Sequence, residues 1–264
     1  ISTQKNILEE KNKEITDSIK YAKRIQNAIL PPQKVVKEHL KDSFIIYKPK
    51  DIVAGDFYWL EHKNNKILFA AADCTGHGVP GAFVSLIAFN LLNKVVLEKQ
   101  ISQPSEILTQ LDELLIRLFK KSDENIRDGF DMGLCCWDSE DNKLNFSGAN
   151  HSLFRVINNE LQEIKGTKAS IGYSLYETKH VFENHSFKLE KGETIYLCSD
   201  GLPDQFGGEK GKKLKWRGFK SWLLEIQSTS MDNQKNKIHQ LFKNWKKDQE
   251  QIDDVCMLGV KFDY

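Results

Sequence analysis

The chain has 264 residues, of which 40% are hydrophobic and 28% charged, enough apolar content for a globular core. Its 38 Lys and Arg stand against 37 Asp and Glu, a net charge of +1. That balance excludes the large basic excess of a general nucleic-acid or membrane-surface binder, so no nucleic-acid partner is expected.

Residues 1–30 are highly charged and free of Gly and Pro until Pro31-Pro32 stops the helical pattern. Within them Leu8, Asn12, Ile15, Ile19, Ala22, Gln26 and Ile29 recur at alternating steps of four and three. That is a heptad seam interrupted by Asn12 and Gln26, polar positions able to set register and oligomer state. Two readings stand: an amphipathic helix lying on its own domain, or a short coiled coil that joins a sensor to a downstream domain and pairs two copies of the chain.

From residue 43 the period shortens to that of strands. Ser43–Lys48, Asp56–Leu60 and Lys66–Asp73 read as strands, the last two joined by the polar turn His62–Asn65. Val79–Lys99 is apolar at helical spacing, and Pro104 opens a second helix running to about Lys121. A meander comes next through Phe130–Asp138, Lys143–Ser147, Ser152–Ile157 and Leu161–Ile164, continued by Val181–Leu189 and Thr194–Cys198. Helices over Trp216–Ile226 and Gln234–Trp245 precede a final strand, Val255–Phe262. Strands and helices come in blocks, which points to an α+β fold with antiparallel sheets, not a doubly wound parallel one.

The cysteines, Cys74, Cys135, Cys136, Cys198 and Cys256, form no C-x-x-C pair, and four sit in apolar runs. Reduced, buried thiols of a cytoplasmic protein fit better than a disulfide framework or a zinc site. No stretch approaches the ~18 apolar residues of a membrane span, and no signal peptide is visible. Beginning at Ile1, the chain is expected to be a piece of something longer, with room upstream for a sensor or a membrane anchor.

The chemistry-bearing pattern is a carboxylate at the end of an apolar strand. Ile67-Leu68-Phe69-Ala70-Ala71-Ala72-Asp73 runs into Cys74-Thr75-Gly76-His77-Gly78-Val79-Pro80-Gly81. A buried Asp needs a cation or donors, and glycines beside it let backbone carbonyls approach the same cation. Gly76, Gly78 and Gly81 also match the G-x-G-x-x-G of dinucleotide sites. Pro80 removes an amide from that loop, Asp73 would repel phosphates, and no second parallel strand comes at the required distance, so nucleotide binding is the lesser reading.

The arrangement recurs in Ile195–Cys198 followed by Ser199-Asp200-Gly201, in Asp253-Asp254 before the last strand, and in Gly55-Asp56-Phe57. Any one alone is most simply a turn residue. Several together form a set of oxygen ligands suited to hard cations such as Mg²⁺ or Mn²⁺.

Gly55-Asp56-Phe57-Tyr58, Ala72-Asp73 with Gly76-His77-Gly78, Ser199-Asp200-Gly201 and Asp253-Asp254, in that order, resemble the metal-dependent serine/threonine protein phosphatases (PPM, type 2C-like), in particular their bacterial SpoIIE-like branch. Residues 15–26 also resemble the helical linker that joins sensor modules to such domains. The resemblance implies a helical linker over 1–33 and a phosphatase domain over 43–264. The fold it implies is a four-layer α-β-β-α sandwich of two mainly antiparallel sheets, with metals in the cleft at one end. It further implies two Mn²⁺ or Mg²⁺ ions: Asp73 bridging both, the Cys74 carbonyl on one, Asp200 and Asp253 on the second, and Asp56 binding directly or through water. A metal-bridging hydroxide would then attack phosphoserine or phosphothreonine on a regulatory partner protein. Asp131 is a candidate for a looser third ion or a turn residue. His77 is a candidate general acid or a loop-structuring residue. Lys48 and Lys50 are the nearest basic candidates for a phosphate clamp. The rival from another class is a catalytically silent signalling scaffold of the same fold.

Overall fold

The computed structural model, which describes residues 2–120, 128–172 and 180–263, threads the chain into two five-stranded antiparallel sheets. The first sheet holds β1 (Ser43–Lys48), β12 (Val255–Phe262), β9 (Glu193–Cys198), β6 (Leu153–Ile157) and β7 (Glu160–Ile164), in that spatial order. The second holds β2 (Phe57–Lys63), β3 (Lys66–Cys74), β4 (Phe130–Asp138), β5 (Lys143–Ala149) and β8 (His185–Lys188). A small hairpin, β10 (Phe206–Gly207) with β11 (Lys212–Lys213), stands apart.

Alternation along the strands sorts the core into layers. On β3, Ile67, Phe69 and Ala71 face the other sheet and meet Ile195, Leu197, Cys256 and Leu258. Leu68, Ala70 and Ala72, on the opposite face, meet α3 (Gly78–Asn93) and α4 (Pro104–Phe119). The outer face of the first sheet, with Phe44, Tyr196 and Met257, is covered by α6 (Lys215–Ile226) and α7 (Met231–Lys246). The result is the expected α-β-β-α sandwich, preceded by the long helix α1 (Ser2–Ile29).

Several expectations are corrected. The short helix α2 (Gln33–His39), which places Val36 and Leu40 against the inter-sheet layer, and the single turn α5 (Gly201–Asp204) were not foreseen. The strand expected over Val181–Leu189 is confined to His185–Lys188; Phe182 is buried in the helix-covered layer without pairing as a strand. The helix expected over Val79–Lys99 begins at Gly78 and passes into a π turn at Lys94–Glu98. The expected end of the next helix at Lys121 lies outside the described residues. Among the described residues, Gly78–Glu98 is long and apolar enough by composition to cross a membrane, contrary to the sequence reading. Here it is a core element, with Ala88, Leu92, Val95 and Val96 fully buried against the second sheet's helix-side layer.

The last turn of α1 is docked. Gln26 is 3% exposed; its amide donates to the carbonyl of Ala54 at 2.6 Å and accepts from the Ala54 N–H at 3.1 Å. Its other contact is the Ser85 hydroxyl at 3.1 Å, and Leu30 joins the core beside it. Further up the same helix Leu8 and Ile15 are exposed. At position 26, then, the polar seam residue belongs to the domain's own interior.

Candidate metal centre

The parity that fills the inter-sheet layer also aims carboxylates into one end of it. Two residues beyond Ala71 on β3, Asp73 takes the same face. Asp131 on β4 is its direct cross-strand partner, so two carboxylates oppose each other in the ladder. Asp56 sits one residue before β2 and shares the face of Tyr58, which packs against the inter-sheet layer. Directly opposed like charges weaken a sheet unless something neutralises them.

The other sheet supplies the remainder. Ser199 staples the end of β9 to the start of β12: its N–H donates to the Cys256 carbonyl, and its hydroxyl accepts from the Cys256 N–H, both at 2.9 Å. This brings Asp253 and Asp254 beside Asp200, which opens α5. A Cβ on Gly201 would lie 1.8 Å from the Asp254 carbonyl oxygen, so only glycine can follow Asp200. Asp253 accepts the Asp254 N–H at 2.9 Å. Asp254 has a structural role of its own. It is 2% exposed, and its two carboxylate oxygens accept the N–H groups of Lys50 and Gly55, each at 2.7 Å. It thereby fixes the 50–55 loop that delivers Asp56.

The glycines after Asp73 serve the same packing. A Cβ on Gly55 or Gly81 would lie 2.4 or 2.1 Å from the Gly76 carbonyl oxygen, so three backbones converge beside Cys74. With β3 antiparallel to both neighbours, the dinucleotide reading of this loop has no parallel strand to rest on.

Electrostatics set the carboxylates of this cluster against one another. Asp56 is 2% exposed, and its Oδ2 has no hydrogen-bond partner. Burial, then the charge of Asp73, raises its carboxyl well above the usual range. Burial and the charges of Asp200, Asp253 and Asp131 push Asp73 up to about 8. Burial and the charges of Asp253 and Asp204 push Asp200 up to about 6. Asp131 is raised by burial, opposed by hydrogen bonds from Ser170 and Asn150. The Cys74 thiol is buried and pushed well up, which leaves its carbonyl, not its sulfur, as a donor for a cation. A set of carboxylates with a backbone carbonyl fits hard divalent ions. Among the described residues no three His, Cys, Asp or Glu side chains converge closely enough to hold an ion already.

A cavity of about 200 Å³ opens over this cluster, lined by Asp73, Asp131, Asp200, Asn150, Glu163 and Trp216 among others. Neither Lys48 nor Lys50 lines it. The ammonium of Lys48 lies over the Phe242 ring at 5.0 Å, and that of Lys50 donates to His77 Nε2 at 2.9 Å. Sequence reading missed Lys213. Its ammonium meets Asp204 Oδ2 at 2.6 Å, and Asp204, Asp200 and Asp253 together hold it more firmly protonated. No spacing rule reveals it, because the two-residue hairpin and the single turn α5 bring it there. His77 donates from Nδ1 to Asp51 at 2.6 Å while Nε2 accepts from Lys50. With both ring nitrogens engaged it ties two loops together, the loop-structuring alternative.

Comparison with known proteins places the fold in a family. The profile of the family described as Stage II sporulation protein E (SpoIIE) matches residues 63–263. The phosphoserine phosphatase RsbU of Bacillus subtilis is 24% identical over 197 residues, which cover 72% of this chain and 55% of RsbU. The chain thus spans about half the length of that curated relative. Among solved structures, the SiaA-PP2C domain of Pseudomonas aeruginosa superposes with a TM-score of 0.87 at 31% identity, covering 96% of this chain and 98% of that one. The PP2C phosphatase domain of SpoIIE from Bacillus subtilis shares the fold, with a TM-score of 0.65 at 18% identity over 84% of this chain and 61% of that one.

Proposed function

This chain belongs to the SpoIIE-like branch of the PPM protein phosphatases, and from that membership we propose that it hydrolyses phosphoserine or phosphothreonine on a partner protein in a divalent-metal-dependent reaction. The observation that carries the reading is the cluster of Asp56, Asp73, Asp200 and Asp253, whose buried acidic members are raised by burial and by one another's charge.

Asp73, the Cys74 carbonyl, Asp200, Asp253 and Asp56 are the residues that would hold two Mg²⁺ or Mn²⁺ ions. When bound, such ions lower the pKa of a water and offset charge on the transferring phosphoryl group. The chain's own contribution is placement. Ser199 and Gly201 hold Asp200 against the Asp253–Asp254 loop, and Asp254 fixes the loop before Asp56. The second sheet sets Asp73 and Asp131 side by side. Lys213, 40% exposed and paired with Asp204 at 2.6 Å, feels the charges of Asp200 and Asp253 and is a further basic candidate beside the cluster.

We read residues 1–33 as a linker to an upstream sensor module and 43–264 as the phosphatase domain, acting in the cytoplasm. The exposed Leu8 and Ile15 support a second copy of the chain as a partner of the linker. The partner substrate is read as a phosphorylated regulatory protein, as the resemblance to the SpoIIE-like branch implies.

The test is Mn²⁺-dependent hydrolysis of a phosphoserine peptide, with and without chelator, for the native chain and for Asp73→Asn and Asp200→Asn. Turnover that vanishes with chelator and falls by at least ~10²-fold in each variant supports the reading. Activity that survives both substitutions overturns it. A folded native chain without turnover in any metal returns the case to the silent scaffold.

A further inference from the structure

A second concavity, of about 790 Å³, lies where α1 crosses the loops that frame the metal centre. Its lining includes the apolar Ile19 from α1, Ile52 and Val53 from the 50–55 loop, and Val79 and Pro80 from the start of α3. Lys20, Lys23 and Lys50 line it as well. Asp51 is the acidic residue among its lining, and its carboxylate is engaged by His77 at 2.6 Å. Lys20 pairs with Asp17 at 3.4 Å on the same helix, and the Lys50 ammonium donates to His77 at 2.9 Å. Three lysines against Asp51 and Asp17 leave the trough with a small local excess of positive charge, Lys23 having no acidic partner among the described residues.

The trough is wired to the carboxylate cluster through the backbone. Lys50, in its lining, has its N–H held by Asp254, and the same Asp254 holds Gly55, next to Asp56. His77 and Gly78 in its wall lie three and four residues beyond Cys74, and extended chain spans at most ~3.5 Å per residue. The trough therefore sits within roughly 14 Å of the Cys74 carbonyl. A phosphorylated residue over Asp73 and Asp200 and a segment a few positions away can be bound by the same domain at once.

We infer that this trough is the docking site for the substrate protein's flank: an extended segment that carries acidic side chains and at least one aliphatic one, a few residues from the phosphorylated position. The inference rests on the phosphatase reading above. Aspartate or glutamate would meet Lys20, Lys23 and Lys50, and the aliphatic side chain would cover Ile52 and Val79. Because Lys20 and Lys23 belong to α1, the linker helix supplies part of the substrate surface. Specificity would then depend on how α1 lies on the domain, which Gln26 fixes through Ala54.

The experiment uses the full chain with Mn²⁺ and two phosphoserine peptides of equal length. One is flanked by Asp, Glu and Leu, and the other by Lys and Gly in the same positions. The expected result is a KM about tenfold lower for the acidic peptide, an advantage that shrinks at high salt. In the double variant Lys20→Glu with Lys23→Glu, both exposed on α1, the preference should invert toward the basic flank. Equal KM values in the native chain, or a preference unmoved by the charge reversal, overturn the inference. Anisotropy titration of the same peptides with plain serine makes the two readings separable. Acidic-flank binding that the reversal abolishes supports the trough even if no peptide is turned over. Turnover without flank-dependent binding refutes the trough and leaves the phosphatase reading standing.

Discussion

Two buried acidic positions in this molecule have had opposite fates. Glu193, at the start of β9, is fully buried, and its carboxylate accepts both Arg155 Nε at 2.6 Å and Arg155 Nη2 at 3.0 Å, with the Glu190 N–H added at 3.0 Å. Asp56, buried almost as deeply, has an oxygen with no partner and further carboxylates nearby. Burial of a charge is tolerable when donors or a counter-ion surround it and costly otherwise. One end of the sandwich therefore pairs its buried carboxylate within the protein, and the other leaves an Asp56 oxygen without a partner among neighbouring carboxylates, the contrast on which the proposed metal site rests.

The sharpest way to break this contrast is to neutralise each site in turn. Asp73→Asn should reduce phosphopeptide turnover by about 10²- to 10³-fold. In chelator the same change should raise the melting temperature, because it removes repulsion. Glu193→Gln should do the reverse, lowering stability by about 3–5 kcal/mol through the stranded Arg155 while largely sparing turnover. Melting curves in chelator that move in the same direction for both variants would show that the two carboxylates are not of different kinds.

A pH titration sharpens the same point. A carboxyl whose folded pKa lies above its unfolded value binds its proton more tightly in the native state. Its favourable contribution is complete below about 4 and is lost as pH rises through the folded value, near 6 for Asp200 and near 8 for Asp73. Chelated protein should thus lose melting temperature between pH 5 and 8.5. Saturating Mn²⁺ should restore more of it at pH 8 than at pH 5.5, read by scanning fluorimetry. A metal-induced shift that is flat across that range would count against these carboxylates as the ligands.

Asp254 lies between the two extremes, since backbone N–H groups satisfy it. Asp254→Asn keeps the shape but can accept with only one oxygen, which strands either the Lys50 or the Gly55 N–H at about 1–3 kcal/mol. Mn²⁺ affinity should weaken by about 10- to 100-fold, as for other groups that orient a ligand without touching the ion. Isothermal titration against the native chain measures it. Unchanged affinity would confine Asp254 to the fold.

Much of this was legible in the sequence because period and chemistry spoke together. The alternation Ile67, Phe69, Ala71 predicts not only a strand but the face on which Asp73 falls, and the apolar helix after Gly78 is evident from its spacing. What stayed hidden depends on long-range closeness. The Asp73–Asp131 pairing is a matter of register, which one strand alone does not reveal. Lys213 reaches the site through elements too short to carry a periodic signal. The G-x-G-x-x-G misdirects because glycine is required wherever backbones converge, and here it serves contact between loops, not a pyrophosphate. Val181 and Phe182 have strand-forming side chains, but one is exposed and the other is buried without a strand partner, so tertiary packing overrode propensity.

Gln26 shows how one residue type supports two incompatible readings until its neighbours are known. In a heptad seam a glutamine is a polar interruption, and Gln26→Leu would strengthen helix pairing. Docked on Ala54 and Ser85, the same glutamine completes buried backbone groups, and leucine there would leave the N–H and C=O of Ala54 without that partner. The structure therefore predicts a loss of about 1–3 kcal/mol for Gln26→Leu, with no gain in dimer mass by sedimentation. If the variant instead melts higher and sediments as a tighter dimer, position 26 belongs to the seam. The linker would then meet its partner along its whole length, not only through the exposed turns around Leu8 and Ile15.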